Sequence, residues 1–138
     1  MGAPKEVLEV RQMARQHIFV INHDPAFLEV IRLLLQDDLY NVTTTNYAPR
    51  TWEQIAALQP SLLLIDLSPR SQVGWELLER VRDAAATSGI PIIISSTDPR
   101  TLECVRQNPA QYGANAVLDK PFEVDTLLGA IHVLIGQA

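Results

Sequence analysis

Apolar and β-branched residues fall in short blocks along this chain, separated by longer stretches in which apolar positions recur at helical spacing. Five runs, Ile18 to Ile21, Val42 to Thr45, Leu62 to Ile65, Ile92 to Ile94 and Ala116 to Leu118, predict buried strands. After the first run, Asp24 stands where an N-cap precedes a first-turn proline, Pro25. Phe27, Leu28, Ile31, Leu34 and Leu35 then form the apolar stripe of a first helix. Arg50 to Leu58 predicts a second helix, closed by Pro60, and Gly74 to Ala85 a third, with Leu77, Leu78 and Val81 on one face. A fourth runs from Pro99 to Gln107, where Asn108-Pro109 should stop or kink it. The last, Val124 to Ile135, is apolar at Leu127, Leu128, Ile131, Leu134 and Ile135.

Strict alternation of strand and helix implies a parallel sheet covered on both faces, since each crossover helix must bury its stripe. The predicted fold class is α/β, a flavodoxin-like doubly wound five-stranded sheet in the order 2-1-3-4-5. That order places a cleft at the carboxyl ends of strands one and three. Ahead of the first strand, Glu6 to Gln16 sets Val7, Val10, Met13 and Ala14 on one side of a further helix or a frayed extension.

At 138 residues and 47% hydrophobic content, one domain with an adequate core is expected. The single cysteine, Cys104, cannot form an internal disulfide, as in a chain kept in a reducing cytosol. No apolar run is long enough to cross a bilayer. A net charge of -5 opposes general attraction to nucleic-acid phosphates. A cytoplasmic domain that binds neither nucleic acid nor membrane is therefore expected.

The chemistry concentrates at the predicted strand ends. Asp66 closes the run Leu62-Leu63-Leu64-Ile65, Ser96 ends the fourth strand and Lys120 the fifth, so all three should project toward one cleft. A carboxylate can attack a phosphoryl group, a hydroxyl can hydrogen-bond its oxygens and an ammonium can neutralise its charge. Lys120-Pro121-Phe122 makes a tight exit that suits a cis peptide. His17, His132, Cys104, Trp52 and Trp75 carry no chemistry in this reading.

Taken in order, these segments resemble response-regulator receiver domains over nearly all of His17 to Ile135. Leu64-Ile65-Asp66 with Gly74 eight residues on is similar to the family's phosphoacceptor loop. Pro91 to Ser96 is similar to its hydroxyl-bearing fourth strand, and Gly113-Ala114-Asn115 through Lys120-Pro121-Phe122 to its closing motif. The resemblance implies an N-terminal extension over residues 1–16 and a receiver domain over 17–138, a signalling module rather than an enzyme. It implies Asp66 as phosphoacceptor, Ser96 and Lys120 as phosphoryl-stabilising groups, and Mg²⁺ held by Asp66 and the Ser68 carbonyl. The implied partner is a histidine kinase or other signalling protein, with a second copy of the chain as a further candidate.

The sequence departs from the family where an acidic pair usually follows the first strand, for here stand Asn22 and His23. Loss of two carboxylates should weaken Mg²⁺ binding, with Asp24 as a substitute ligand or, in better agreement with Pro25, an N-cap. His23, as an imidazolium, could instead pair with Asp66 without metal. At Val117 the family usually carries a switching aromatic, and the last helix contains no Lys or Arg. These departures define an alternative: a phosphorylation-independent interaction module with the receiver fold. No P-loop and no G-x-G-x-x-G follows any strand, and the acid pair of aspartate-based phosphatases is missing after the first.

Overall fold

A computed structural model describes residues 15–47 and 50–136. The strands are β1 (His17–Ile21), β2 (Asn41–Thr45), β3 (Leu62–Asp66), β4 (Ile92–Ser96) and β5 (Ala116–Asp119). The helices are α1 (Pro25–Asp37), α2 (Thr51–Leu58), α3 (Gln72–Asp83), α4 (Pro99–Gln107), a short α5 (Pro109–Tyr112) and α6 (Val124–Ile135). All strands are parallel, in the order β2-β1-β3-β4-β5. The predicted fold class and strand order are thus observed. Of the expected Glu6–Gln16 helix only Arg15 and Gln16 are described, neither of them helical, and the rest lies outside the described residues.

Alternation along each strand divides the core into two layers. Ile18, Val20, Leu62, Leu64, Ile93 and Leu118 pack with Leu28, Ile31 and Leu35 of α1 and Leu127 and Ile131 of α6. Phe19, Ile21, Leu63, Ile65, Ile92 and Ile94 face Ile55 of α2, Leu77, Leu78 and Val81 of α3, and Val105 of α4. Their near-complete burial supplies the hydrophobic drive that holds the crossover helices to the sheet.

Helix termini follow local chemistry. The Asp24 side chain accepts from the Ala26 N–H, so Asp24 is an N-cap. Expected at Gly74, α3 begins instead at Gln72, because the Ser71 hydroxyl accepts from the Gly74 N–H and caps the helix two residues earlier. Asp98 caps α4 through the Thr101 N–H at 3.0 Å, and α4 stops before Asn108-Pro109 as expected.

One arginine ties together the far end of the sheet. Arg82 of α3 donates to the carbonyls of Ser88 at 2.7 Å and Ile90 at 2.8 Å, to Asn115 Oδ1 at 3.1 Å and to the Gly113 carbonyl. Asn115 Oδ1 also accepts the Ile92 N–H at 2.9 Å. Gly113 has φ +59, and a Cβ there would collide with the Arg82 side chain, so glycine is needed on both counts.

Candidate functional site

Registry across the sheet places the polar groups in one row. Asp66 is the Cα partner of Ser95, and Ser95 that of Leu118. Asp66 therefore shares the face of Leu62 and Leu64, and Lys120, two residues past Leu118, reaches the same face from beyond β5. Lys120 Nζ lies 2.8 Å from Asp66 Oδ1, each side chain 16% exposed. The same ammonium sits 4.1 Å from the centre of the Phe27 ring, which meets Phe122 edge to face. The Lys120-Pro121 peptide is cis.

The expectation that Ser96 faces Asp66 is corrected by this register. Ser95 presents its hydroxyl to Asp66 Oδ1, at a long 3.4 Å. Ser96, one residue on, turns to the other layer, where its Oγ accepts the Asp98 N–H at 3.1 Å. Both hydroxyls are buried, so each is committed by the fold rather than by solvent.

At the end of β1, Asn22 is 2% exposed. Its Oδ1 accepts the Asp24 N–H at 2.9 Å, which fixes the orientation of the amide, while its Nδ2 is buried without a hydrogen-bond partner. His23 does not pair with Asp66. Its ring lies 4.6 Å from that of Tyr47 and its Nε2 is 3.4 Å from Ser71 Oγ. The cause is steric direction: residue 23 lies one position past Asn22 and exposes its side chain on the α3 side of the cleft.

Tyr47, in the β2–α2 connection, escaped sequence reasoning because loop residues carry no periodicity. Its hydroxyl donates to the main-chain carbonyl of Asp66, and burial, then the neighbouring Asp66 charge, push the phenol well above its usual range. Gly74 leaves room for it, since a Cβ there would come 3.1 Å from the Tyr47 hydroxyl and 3.0 Å from Leu67 Cδ2.

The groups implied as metal ligands are already engaged. The Ser68 carbonyl accepts the Trp75 indole N–H at 3.2 Å and the Ser71 N–H at 3.1 Å, filling its two lone pairs. Asp24 caps α1, Asn22 Oδ1 accepts the Asp24 N–H, and Asp66 is paired with Lys120. Among the described residues, no cluster of three or more His, Cys, Asp or Glu is placed to hold a metal ion. A divalent magnesium ion needs several hard oxygens, so the residues present do not fit it in this arrangement.

Other predicted bystanders behave as packing or surface groups. Trp52 lies under the Arg80 guanidinium at 4.2 Å, and Trp75 packs edge to face on Tyr112. Cys104 is exposed. His132 lies 3.1 Å from Asp38, and His17 reaches Thr43 Oγ1 at 2.7 Å.

The comparisons with known proteins agree with this fold. Residues 18–132 match the family model described as the response regulator receiver domain. The transcriptional regulatory protein KdpE of Staphylococcus aureus is 32% identical over 117 residues, covering 85% of this chain and 48% of that protein. Curated relatives of this kind are about twice as long, and the chain spans about half their length, 48% to 52% in the first three. Among solved structures, the chemotaxis protein CheY4 of Vibrio cholerae superposes with a TM-score of 0.75 at 21% identity, covering 88% of this chain and 99% of that one. The receiver domain of sensor histidine kinase PA1611 from Pseudomonas aeruginosa, a structure with magnesium in its active-site cleft, gives 0.69 at 24% identity, covering 90% and 100%. With its fold, strand order and matched span in agreement, the chain belongs to the response-regulator receiver domain family.

Proposed function

We propose that the chain is a phosphoacceptor receiver of a two-component signalling system, with Asp66 as the modified residue. The observation that carries this reading is the Lys120–Asp66 contact at 2.8 Å in a cleft at the strand ends. An Asp66 oxygen attacks the phosphorus of the donor, the bond to the leaving group breaks, and the Lys120 ammonium offsets charge gathered on the phosphoryl oxygens. Ser95 lies beside Asp66 as the nearer hydroxyl, with Ser96 one residue away on the same strand end. The product shifts a conformational equilibrium that a partner reads.

Magnesium is expected to bind weakly, because Asn22 and His23 bring no carboxylate to the cleft and the Ser68 carbonyl is already covered. The phosphodonor is a histidine kinase or other phosphorylated signalling protein, the domain acts as a signalling module without turnover of its own, and its place is the cytoplasm. Among the described residues no helix is long and apolar enough to cross a membrane.

The test is the intact mass after incubation with Mg²⁺ and acetyl phosphate, beside an Asp66→Asn control. An adduct of one phosphoryl group, missing from the control, is expected. A folded protein that takes up no phosphoryl group under conditions that label an ordinary receiver would favour the phosphorylation-independent interaction module.

A further inference from the structure

Among the described residues, two buried side-chain nitrogens have no hydrogen-bond partner: Asn22 Nδ2 and Arg82 Nε. The second belongs to a guanidinium whose other nitrogens make four hydrogen bonds. The first has no such neighbouring bonds, and a buried donor left unpaired is destabilising, so a fold that retains one raises the question of what it meets.

Its position answers that question. Ile21 is the register partner of Ile65; Asp66 ends β3, and Asn22 directly follows β1, its N–H donating to the Thr45 carbonyl at 3.1 Å in continuation of the β1–β2 ladder. The alternation that carries Ile18 and Val20 into the α1/α6 layer carries Asn22 to the face that holds Asp66, Ser95 and Lys120. The Asp24 N–H fixes the orientation of Oδ1, so the polar atom of the amide left without a partner is a donor. A donor suits an anionic oxygen and repels a metal cation, in line with the poor fit of the oxygen ligands around it.

We infer that Asn22 is a phosphoryl-binding residue whose Nδ2 donates to an oxygen of the group transferred to Asp66, so that this site takes its phosphoryl group without a divalent cation. The inference rests on the phosphoacceptor reading above. With acetyl phosphate, an Asp66 carboxylate oxygen forms the bond to phosphorus as the bond from phosphorus to the acetate oxygen breaks. The electron pair leaves on acetate, and no net proton is taken up or released. Charge on the equatorial oxygens is met by the Lys120 ammonium and by the Asn22 amide, whose buried Nδ2 is uncovered as the phosphoryl group enters.

The full chain is incubated with acetyl phosphate in excess EDTA and, separately, in excess Mg²⁺, and the rate of adduct formation is read by intact mass. The variants are Asn22→Leu and Asn22→Asp, with Asp66→Asn as the blank. Wild type should label at rates within about twofold in the two buffers, Asn22→Leu about tenfold more slowly in EDTA, and Asn22→Asp only when Mg²⁺ is supplied. Wild-type labelling that requires Mg²⁺, or an Asn22→Leu rate in EDTA equal to wild type, overturns the inference and leaves Asp66 as phosphoacceptor. No wild-type adduct in either buffer overturns the phosphoacceptor reading itself. If Asn22→Leu does not fold, the wild-type protein carries the test through NMR. The Asn22 side-chain amide signals should shift as the adduct forms in EDTA, and signals that stay in place while it forms overturn the inference.

Discussion

Lys120, the residue just past β5, reaches beyond the end of β4 to place its Nζ 2.8 Å from Asp66 Oδ1 at the end of β3, a strand that is not the neighbour of β5 in the sheet. The contact is largely sheltered, and Phe27 lies against the same ammonium. One ammonium therefore links β3, through the ion pair, and α1, through the Phe27 ring, to the β5–α6 connection.

Lys120→Met should destabilise the fold by about 2 kcal/mol, since it leaves a sheltered carboxylate without its cation. Adding Asp66→Asn should recover about 1 kcal/mol of that loss, which a double-mutant cycle in urea would read as coupling between the two positions.

The two serines of β4 should separate by assay. Ser95→Ala removes the hydroxyl beside Asp66 and should slow phosphoryl uptake, with little change in stability. Ser96→Ala removes the acceptor of the Asp98 N–H and should cost about 1 kcal/mol of stability. Labelling rates and urea midpoints for both variants decide the assignment.

Trp75 offers a reporter for metal, because its indole N–H is bound to the Ser68 carbonyl that a cation would need. Mg²⁺ should leave Trp75 fluorescence unchanged in a Trp52→Phe background. The added pair Asn22→Asp and His23→Asp should create a saturable response by supplying hard oxygen ligands. A saturable response in the parent protein would contradict the poor fit described above.

Arg82→Met should cost about 2–3 kcal/mol, since several carbonyls lose a charged donor at once. Gly113→Ala should also destabilise, by about 1–3 kcal/mol, through left-handed backbone strain and collision with the same guanidinium. The urea midpoint should fall with an unchanged slope.

Burial lowers the affinity of His17 for a proton below its ordinary value. The unfolded chain then binds more protons than the folded one below about pH 6.5, so this residue's share of stability is complete above that pH and is lost as pH falls toward the folded value. Stability between pH 7 and pH 5 should decline less in His17→Gln than in wild type.

The fold was legible because strand and helix periods alternate without a break, and parallel pairing brings strand ends together. That alone predicted the meeting of Asp66 with Lys120. Ser95 against Ser96 was not legible, since facing depends on the nonlocal register between β3 and β4, and a shift of one residue reverses it. The direction of His23 was not legible because, two residues past the end of β1, its side chain takes its orientation from the loop. Tyr47 left no trace in any pattern, as its contact joins a loop to a main-chain carbonyl. The cover over the Ser68 carbonyl was not legible either, because sequence does not show which indole will donate to a carbonyl.

Gly74 and Tyr47 form a paired allotment of space beside Asp66, one residue leaving the volume that the other enters. The two positions are therefore expected to change together among relatives, a side chain at 74 accompanying a smaller residue at 47. An engineered exchange should follow the same order: shrinking position 47 first makes a larger residue at 74 tolerable, whereas the reverse order passes through an overfilled intermediate.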